Sequence, residues 1–177
     1  MELQKGRPAQ SGERLPKELR VYDFLDSLSI EYYRVDHEAA MTMEDCEAID
    51  KVLLASTCKN LFLCNRQQTD FYLLLMPADK PFKTKELSAQ LEVSRLSFAS
   101  AEYMEKFLDI TPGAVSVMGL INDKDKNVRL LIDKDVLNEE YFGCHPCVNT
   151  TSIKIKTQAL LEKVLPALER TYTVVEL

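Results

Sequence analysis

The tightest constraint on this chain is a pair of apolar segments, Lys59 to Asn65 and Phe71 to Met76, joined by the polar turn Asn65-Arg66-Gln67-Gln68-Thr69-Asp70. Two β-prone runs this close together read as an antiparallel hairpin. The second run continues to Pro77 and is the longest strongly apolar stretch, far too short to cross a bilayer. The segments around the hairpin alternate in type. Leu19, Tyr22, Leu25 and Leu28 predict an amphipathic helix from Lys17, and Ile30 to Val35 a strand. Thr42 and Asp45 form the two ends of a capping box for a helix reaching about Ile49. Helices are expected over Lys83 to Leu91 and, with Ser100 as cap, over Ala101 to Leu108. Pro112-Gly113 breaks the chain before a short strand at Ala114 to Val117. A strand at Val128 to Ile132 follows, then a half-exposed one at Thr151 to Lys156. A helix carrying Leu160, Val164 and Leu168 and a closing strand at Tyr172 to Val175 complete the chain.

Without regular strand–helix–strand alternation, this pattern predicts an α+β fold with a mixed, largely antiparallel sheet and helices packed around it. Residues 1–16, with Gly6, Pro8, Gly12 and Pro16 among charges, read as a flexible tail outside a single domain spanning 17–177. The apolar share of 46% is enough for a core and excludes a disordered chain. The net charge of −6 argues against a protein that coats nucleic acid, and five glycines leave little for phosphate-binding loops. Five cysteines at irregular spacing do not form a disulfide framework, and Met1 to Arg7 offers no apolar signal core. A cytoplasmic location is the expectation.

Four groups of residues have chemical potential. Cys144-His145-Pro146-Cys147 has C-x-x-C spacing, but a redox dithiol should open a helix, and the β-prone Val148 to Ile153 follows instead. Zinc would need further ligands at matching spacing, and a zinc deaminase would need H-x-E and P-C-x-x-C. His37-Glu38 has the wrong spacing and Gly143 precedes Cys144, so the motif reads as a turn with incidental cysteines. Lys59-Asn60, at the entrance of the first hairpin strand, offers a point cation and an amide, or simply solvated polar residues. Gly113, in Pro112-Gly113-Ala114-Val115-Ser116-Val117, permits a tight backbone whose N–H groups face a ligand, or a plain loop. Lysines cluster at 80, 83 and 85, at 124 and 126, and at 154 and 156, as phosphate contacts or as a solvated surface. No G-x-S-x-G elbow supports a serine hydrolase.

Three of these segments resemble one family in order and in spacing. Cys58-Lys59-Asn60-Leu61-Phe62-Leu63 is similar to the K-N-L-F-L signature of the YbaK-like aminoacyl-tRNA editing domains. Pro112-Gly113-Ala114-Val115-Ser116, continuing into Gly119-Leu120-Ile121-Asn122-Asp123, resembles the family's glycine loop. His145-Pro146, followed by Asn149-Thr150, resembles its H-P-x-x-N-T stretch. The resemblance covers about residues 17–177 and is nearest to the free-standing prolyl-tRNA deacylases.

The resemblance implies a barrel-like core and hydrolysis of a mischarged aminoacyl ester, Ala-tRNA(Pro), at the 3′ terminal adenosine. It implies no metal and no organic cofactor. The implied partners are the acceptor end of a mischarged tRNA and a prolyl-tRNA synthetase. By position, Lys59 would hold the tRNA end and Asn60 would orient the ester. Gly113, Ala114, Val115 and Ser116 would supply the loop beside the carbonyl. His145 would line the pocket with Asn149 and Thr150, and Thr42 joins the substrate-binding candidates. Cys-tRNA(Pro) as substrate, or a non-catalytic aminoacyl-tRNA or amino-acid sensor of the same fold, stays open. One position departs from the family: Val117 stands where its glycine loop carries proline. Valine frees φ and restores an N–H, which is expected to loosen the loop and add a donor.

The chemistry suits the assignment. A synthetase pocket shaped for proline rejects the smaller alanine by only about 1–3 kcal/mol, so a second, smaller hydrolytic site must remove the error. An aminoacyl ester is already activated, and such a site needs oxyanion donors and water more than a strong nucleophile.

Overall fold

The computed structural model describes residues 1–40 and 42–177. Among the described residues nine strands form two sheets. The smaller has the order β1-β2-β8-β7, built from Leu3–Lys5, Tyr33–Asp36, Thr151–Lys156 and Tyr141–Cys144, all antiparallel. The larger has the order β5-β3-β4-β6-β9, built from Ser97–Phe98, Lys59–Cys64, Phe71–Met76, Val128–Asp133 and Tyr172–Val175. Its β3–β4 pair is the predicted hairpin, in register from Lys59 opposite Met76 to Cys64 opposite Phe71. β4–β6 and β6–β9 run parallel, so the sheet is mixed.

Side-chain alternation divides the core into two layers. Phe62, Phe71, Leu73, Leu75, Val128, Leu130 and Ile132 point into the main core, which Ile153 and Ile155 of β8 close from the other sheet. Helices α1 (Pro16–Ser27) and α4 (Ala101–Leu108) add Val21, Tyr22, Leu25, Met104 and Leu108 to it. Leu63, Tyr72, Leu74, Met76 and Leu131 point the other way, against Leu87 of α3 (Thr84–Leu91) and Val175. Every residue of β4 is therefore buried.

The sheets meet along one seam. Gly143 of β7 bridges Thr57, just ahead of β3, and the Cys58 N–H donates to the Gly143 carbonyl at 3.2 Å. A Cβ on Gly143 would lie 3.0 Å from the Ser56 carbonyl oxygen and 3.2 Å from Thr57 Cα. Glycine leaves room for this backbone contact, which a Cβ would crowd, and the contact sets the start of β3 beside the end of β7.

Several expectations need correction. Residues 1–16 are not a tail outside the fold: β1 pairs with β2, Pro8 is buried, and Arg14 bonds Glu18 at 2.5 Å and Asp36 at 2.9 Å. Their anchors are backbone bonds and ion pairs, which a search for apolar periodicity does not register. Ala114 to Val117 is not a strand; Val117–Ile121 forms a 3₁₀ turn, with the Ser116 hydroxyl accepting from the Met118 N–H at 3.1 Å. β8 is buried rather than half-exposed, because it lies inside its sheet and Lys154 sits over the rings of Tyr141 and Tyr33, 4.5 and 5.5 Å away. The last helix divides into α6 (Thr157–Ala159), a π turn (Leu160–Val164) and α7 (Leu165–Ala167). β7, β5 and the short α5 (Lys134–Leu137) went unpredicted. No helix among the described residues is long and apolar enough to cross a membrane.

Gly143→Ala is expected to destabilise the fold by about 1–3 kcal/mol, as overpacking against fixed backbone does. Urea denaturation checks this. An unchanged midpoint would show that the seam can yield.

Candidate active site

The site is assembled where the seam brings two strand ends together. Helix α2 (Met43–Leu53) begins with the predicted capping box: Thr42 Oγ1 accepts from the Asp45 N–H, and Asp45 Oδ2 from the Thr42 N–H. Asp50, farther along α2, accepts from the Thr57 N–H at 3.1 Å and its hydroxyl at 2.6 Å. Burial raises the pKa of Asp50, although the two Thr57 bonds oppose this. The strand entrance is thus held to α2 on one side and to Gly143 on the other.

From this entrance, Asn60 reaches into the glycine loop. Its Nδ2 donates to the Cys58 carbonyl at 3.1 Å, and its Oδ1 accepts from the Val117 N–H at 3.1 Å. The donor that valine restores is therefore used to fasten the loop to β3. Val117 tethers the loop rather than loosening it. Gly113 sits at φ 92°, a conformation open to glycine, and a Cβ there would lie 3.6 Å from Asn149 Nδ2. Among the described residues the N–H groups of Gly113 and Val115 bond to no other group of the protein.

Across from the loop is His145. Its Nδ1 lies 2.9 Å from the Thr151 carbonyl, and since a carbonyl only accepts, Nδ1 carries the proton. Nε2 is then a lone pair with no partner among the described residues. Burial lowers the pKa of His145 and the neighbouring His37 adds to this, while the Thr151 bond opposes it, so the ring is neutral at neutral pH. Thr57, Cys58, Asn60, Gly113, Val115 and His145 line an open cavity of about 200 Å³. That is smaller than the roughly 300–1,000 Å³ of ordinary small-molecule pockets.

The sequence-derived candidates divide. Asn60, Gly113, Val115 and His145 share the cavity, and Asn149 stands beside Gly113. Lys59 does not line it: neighbouring residues of a strand face opposite ways, and its ammonium donates to the Lys80 carbonyl at 2.6 Å. Ala114 and Ser116 are buried beneath the loop. Thr150 lines a larger cleft with Asn149, Arg14 and Lys17, and its carbonyl accepts from the His37 N–H at 3.0 Å. Thr42 serves as a helix cap outside the cavity.

Thr57 and Cys58 are walls that sequence reasoning passed over, although strand alternation puts Cys58 on the same side as Asn60. The Cys58 thiol is pushed up by burial, and Cys144 likewise up to about 12, so both remain protonated. Cys144 ends a strand rather than opening a helix. No three His, Cys, Asp or Glu side chains among the described residues are grouped to hold a metal.

Asn60→Ala is expected to strand the buried Val117 N–H and cost about 1–3 kcal/mol. In a Val117→Pro background, where that N–H is gone, the same substitution should cost about 1 kcal/mol less. A double-mutant cycle in urea measures this. Additive effects would show that the tether carries no energy.

Comparison with known proteins places this geometry. The aminoacyl-tRNA editing domain matches residues 37–163. The prolyl-tRNA editing protein ProX of Acetoanaerobium sticklandii is 32% identical over 153 residues, covering 86% of this chain and 93% of that protein. The prolyl-tRNA synthetase associated domain-containing protein 1 of Danio rerio is 28% identical, covering 83% and 79%. A crystal structure described as a candidate trans-editing enzyme for prolyl tRNA synthetase superposes with a TM-score of 0.67 at 12% identity, over 92% of this chain and 98% of that one. With its two sheets, its glycine loop and its small histidine-lined cavity, the chain belongs to the aminoacyl-tRNA editing domain family.

Proposed function

We propose that this protein acts in trans as a deacylase of mischarged tRNA, with Ala-tRNA(Pro) as its substrate. The observation that carries this reading is the cavity of about 200 Å³ in which a neutral imidazole faces a glycine loop with free N–H groups. The relative in A. sticklandii, named for prolyl-tRNA editing, supports the choice of tRNA.

The reaction follows from the groups present. The aminoacyl carbonyl lies against the loop at Gly113 and Val115, whose N–H groups stabilise the oxyanion as it forms. His145 Nε2 accepts a proton from water as the water oxygen bonds to the carbonyl carbon. The tetrahedral intermediate breaks its bond to the ribose 3′ oxygen, which takes the proton back from His145. Free alanine and uncharged tRNA leave. Asn60 holds the loop in register with the imidazole. Sparing of correctly charged tRNA then falls to the shape of the cavity wall at Thr57, Cys58 and Val115.

Lys59 takes the role of tRNA anchor from outside the cavity. Its ammonium is bonded to a carbonyl and has no carboxylate partner among the described residues, so its charge is available to a terminal phosphate. In the other lysine clusters Lys80 pairs with Asp133 and Asp135, Lys83 with Glu86 and Lys126 with Glu169, while Lys85, Lys124 and Lys156 have no ion pair among the described residues and could add to the anchor. Binding is therefore weak and sensitive to salt, and a prolyl-tRNA synthetase that presents the tRNA would assist it.

The test is hydrolysis of Ala-, Cys- and Pro-tRNA(Pro). Ala-tRNA(Pro) should be deacylated and Pro-tRNA(Pro) spared. His145→Asn should lower kcat by about 10²-fold or more. Lys59→Ala should chiefly raise KM. Tight tRNA binding with no turnover of any ester would replace the deacylase with a sensor, and preferred turnover of Cys-tRNA(Pro) would replace the substrate.

A further inference from the structure

A second histidine lies on the Nδ1 side of His145, and the hydrolysis derived above does not use it. The Ser152 hydroxyl is 2.8 Å from His37 Nε2 and 3.5 Å from His145 Nδ1, and the two ring centroids are 6.2 Å apart. The far nitrogen of His37, Nδ1, lies 2.7 Å from the Glu38 carbonyl. Carbonyls only accept, so the proton of each neutral ring sits on Nδ1. Ser152 must then donate to His37 Nε2, and its oxygen is left to share the His145 Nδ1 proton with Thr151. The result is a chain of bonds with one direction, from His145 through Ser152 to His37 and on to the Glu38 carbonyl.

The backbone fixes this arrangement. Ser152 pairs with Val35 inside the smaller sheet and is 1% exposed. The His37 N–H extends the same ladder to the Thr150 carbonyl. The two rings also face different surroundings. His145 borders the cavity with Thr57, Cys58, Asn60, Gly113 and Val115, none of them charged, while the Asp36–Arg14 ion pair lies behind Thr151. His37 is half-buried and lines a separate cleft with Met1, Glu38 and Asp45, where solvent protons reach it.

We propose that His37 and Ser152 are positioning residues for His145, fixing its ring so that Nε2 serves as the base and making its proton affinity depend on the charge of His37. The proposal rests on the reading of His145 as the base of the hydrolysis. When His37 takes up a proton, its Nε2 becomes a donor to Ser152, and the serine proton turns away. The new positive charge also opposes a proton on His145, keeping the base free as the pH falls.

The test compares intact protein with His37→Gln and Ser152→Ala. Imidazole ¹⁵N shifts are followed by NMR between about pH 5 and pH 8, and hydrolysis of Ala-tRNA(Pro) over the same range. In the intact protein the ¹⁵N shifts should report the Nδ1–H form of His145. His37→Gln should move the His145 titration upward by about half a unit, so that near the acid end activity falls to about a third, and the ratio of variant to intact activity rises with pH. Ser152→Ala, which removes the hydroxyl between the two rings, should let the His145 ring populate its other tautomer more readily in the ¹⁵N shifts. A uniform loss of activity with unmoved titrations would make both residues merely structural and overturn the proposal, as would a His145 titration indifferent to His37→Gln. If the titrations shift as expected but no ester is hydrolysed, the coupling stands and the deacylase reading alone fails.

Discussion

Everything at the candidate site depends on one backbone contact, the approach of Gly143 to Ser56 and Thr57. A side chain at position 143 would crowd this approach. Without one, the end of β7 lies against the start of β3, and residues more than eighty positions apart become neighbours. His145 follows directly from one strand end and Asn60 from the other, so neither is carried on a mobile loop. Asn60 then passes this rigidity to the glycine loop through Val117. Three separate segments are thereby held by hydrogen bonds and backbone packing.

The hairpin, four helices and the closing strand were legible because local pattern determines them. Alternation, helical spacing and the Thr42–Asp45 capping box act over a few residues, and the chain adopts what they specify. Site geometry was legible only in part. The motifs name the residues that converge, but convergence comes from the pairing of two sheets, which no local pattern encodes. Lys59 shows the limit well: the motif joins it to Asn60, while the strand period places the two on opposite faces. Lys154 shows another. A lysine in an alternating strand reads as solvated, yet two tyrosines from neighbouring strands cover it. Residues 1–16 were misread for the reverse reason, since Arg14 is anchored by carboxylates that are distant in sequence.

The departure at Val117 exchanges one way of holding the loop for another. Proline would have held the loop by fixing φ and would have left Asn60 Oδ1 without this donor. Valine gives up the fixed φ and supplies the N–H that Asn60 accepts. The same loop is held by a hydrogen bond instead of by covalent geometry. Position 117 begins a 3₁₀ turn, whose backbone suits either residue. Whether a substitution there weakens the site therefore depends on Asn60, a residue 57 positions away in the chain.

Charge sets the remaining condition. A chain of net charge −6 must admit the phosphate-bearing end of a tRNA without repelling it. A carboxylate base would place a negative charge where the terminal phosphates approach. Among the described residues the cavity has no carboxylate in its wall, and the imidazole proposed as the base is kept neutral by burial. Asp36, behind Thr151, is itself neutralised by Arg14 and Arg34. An activated ester does not need a stronger base, so a neutral one costs the reaction little. The acidity of the rest of the surface then limits affinity without entering the chemistry, and an editor that samples many correctly charged tRNAs gains from letting each one go.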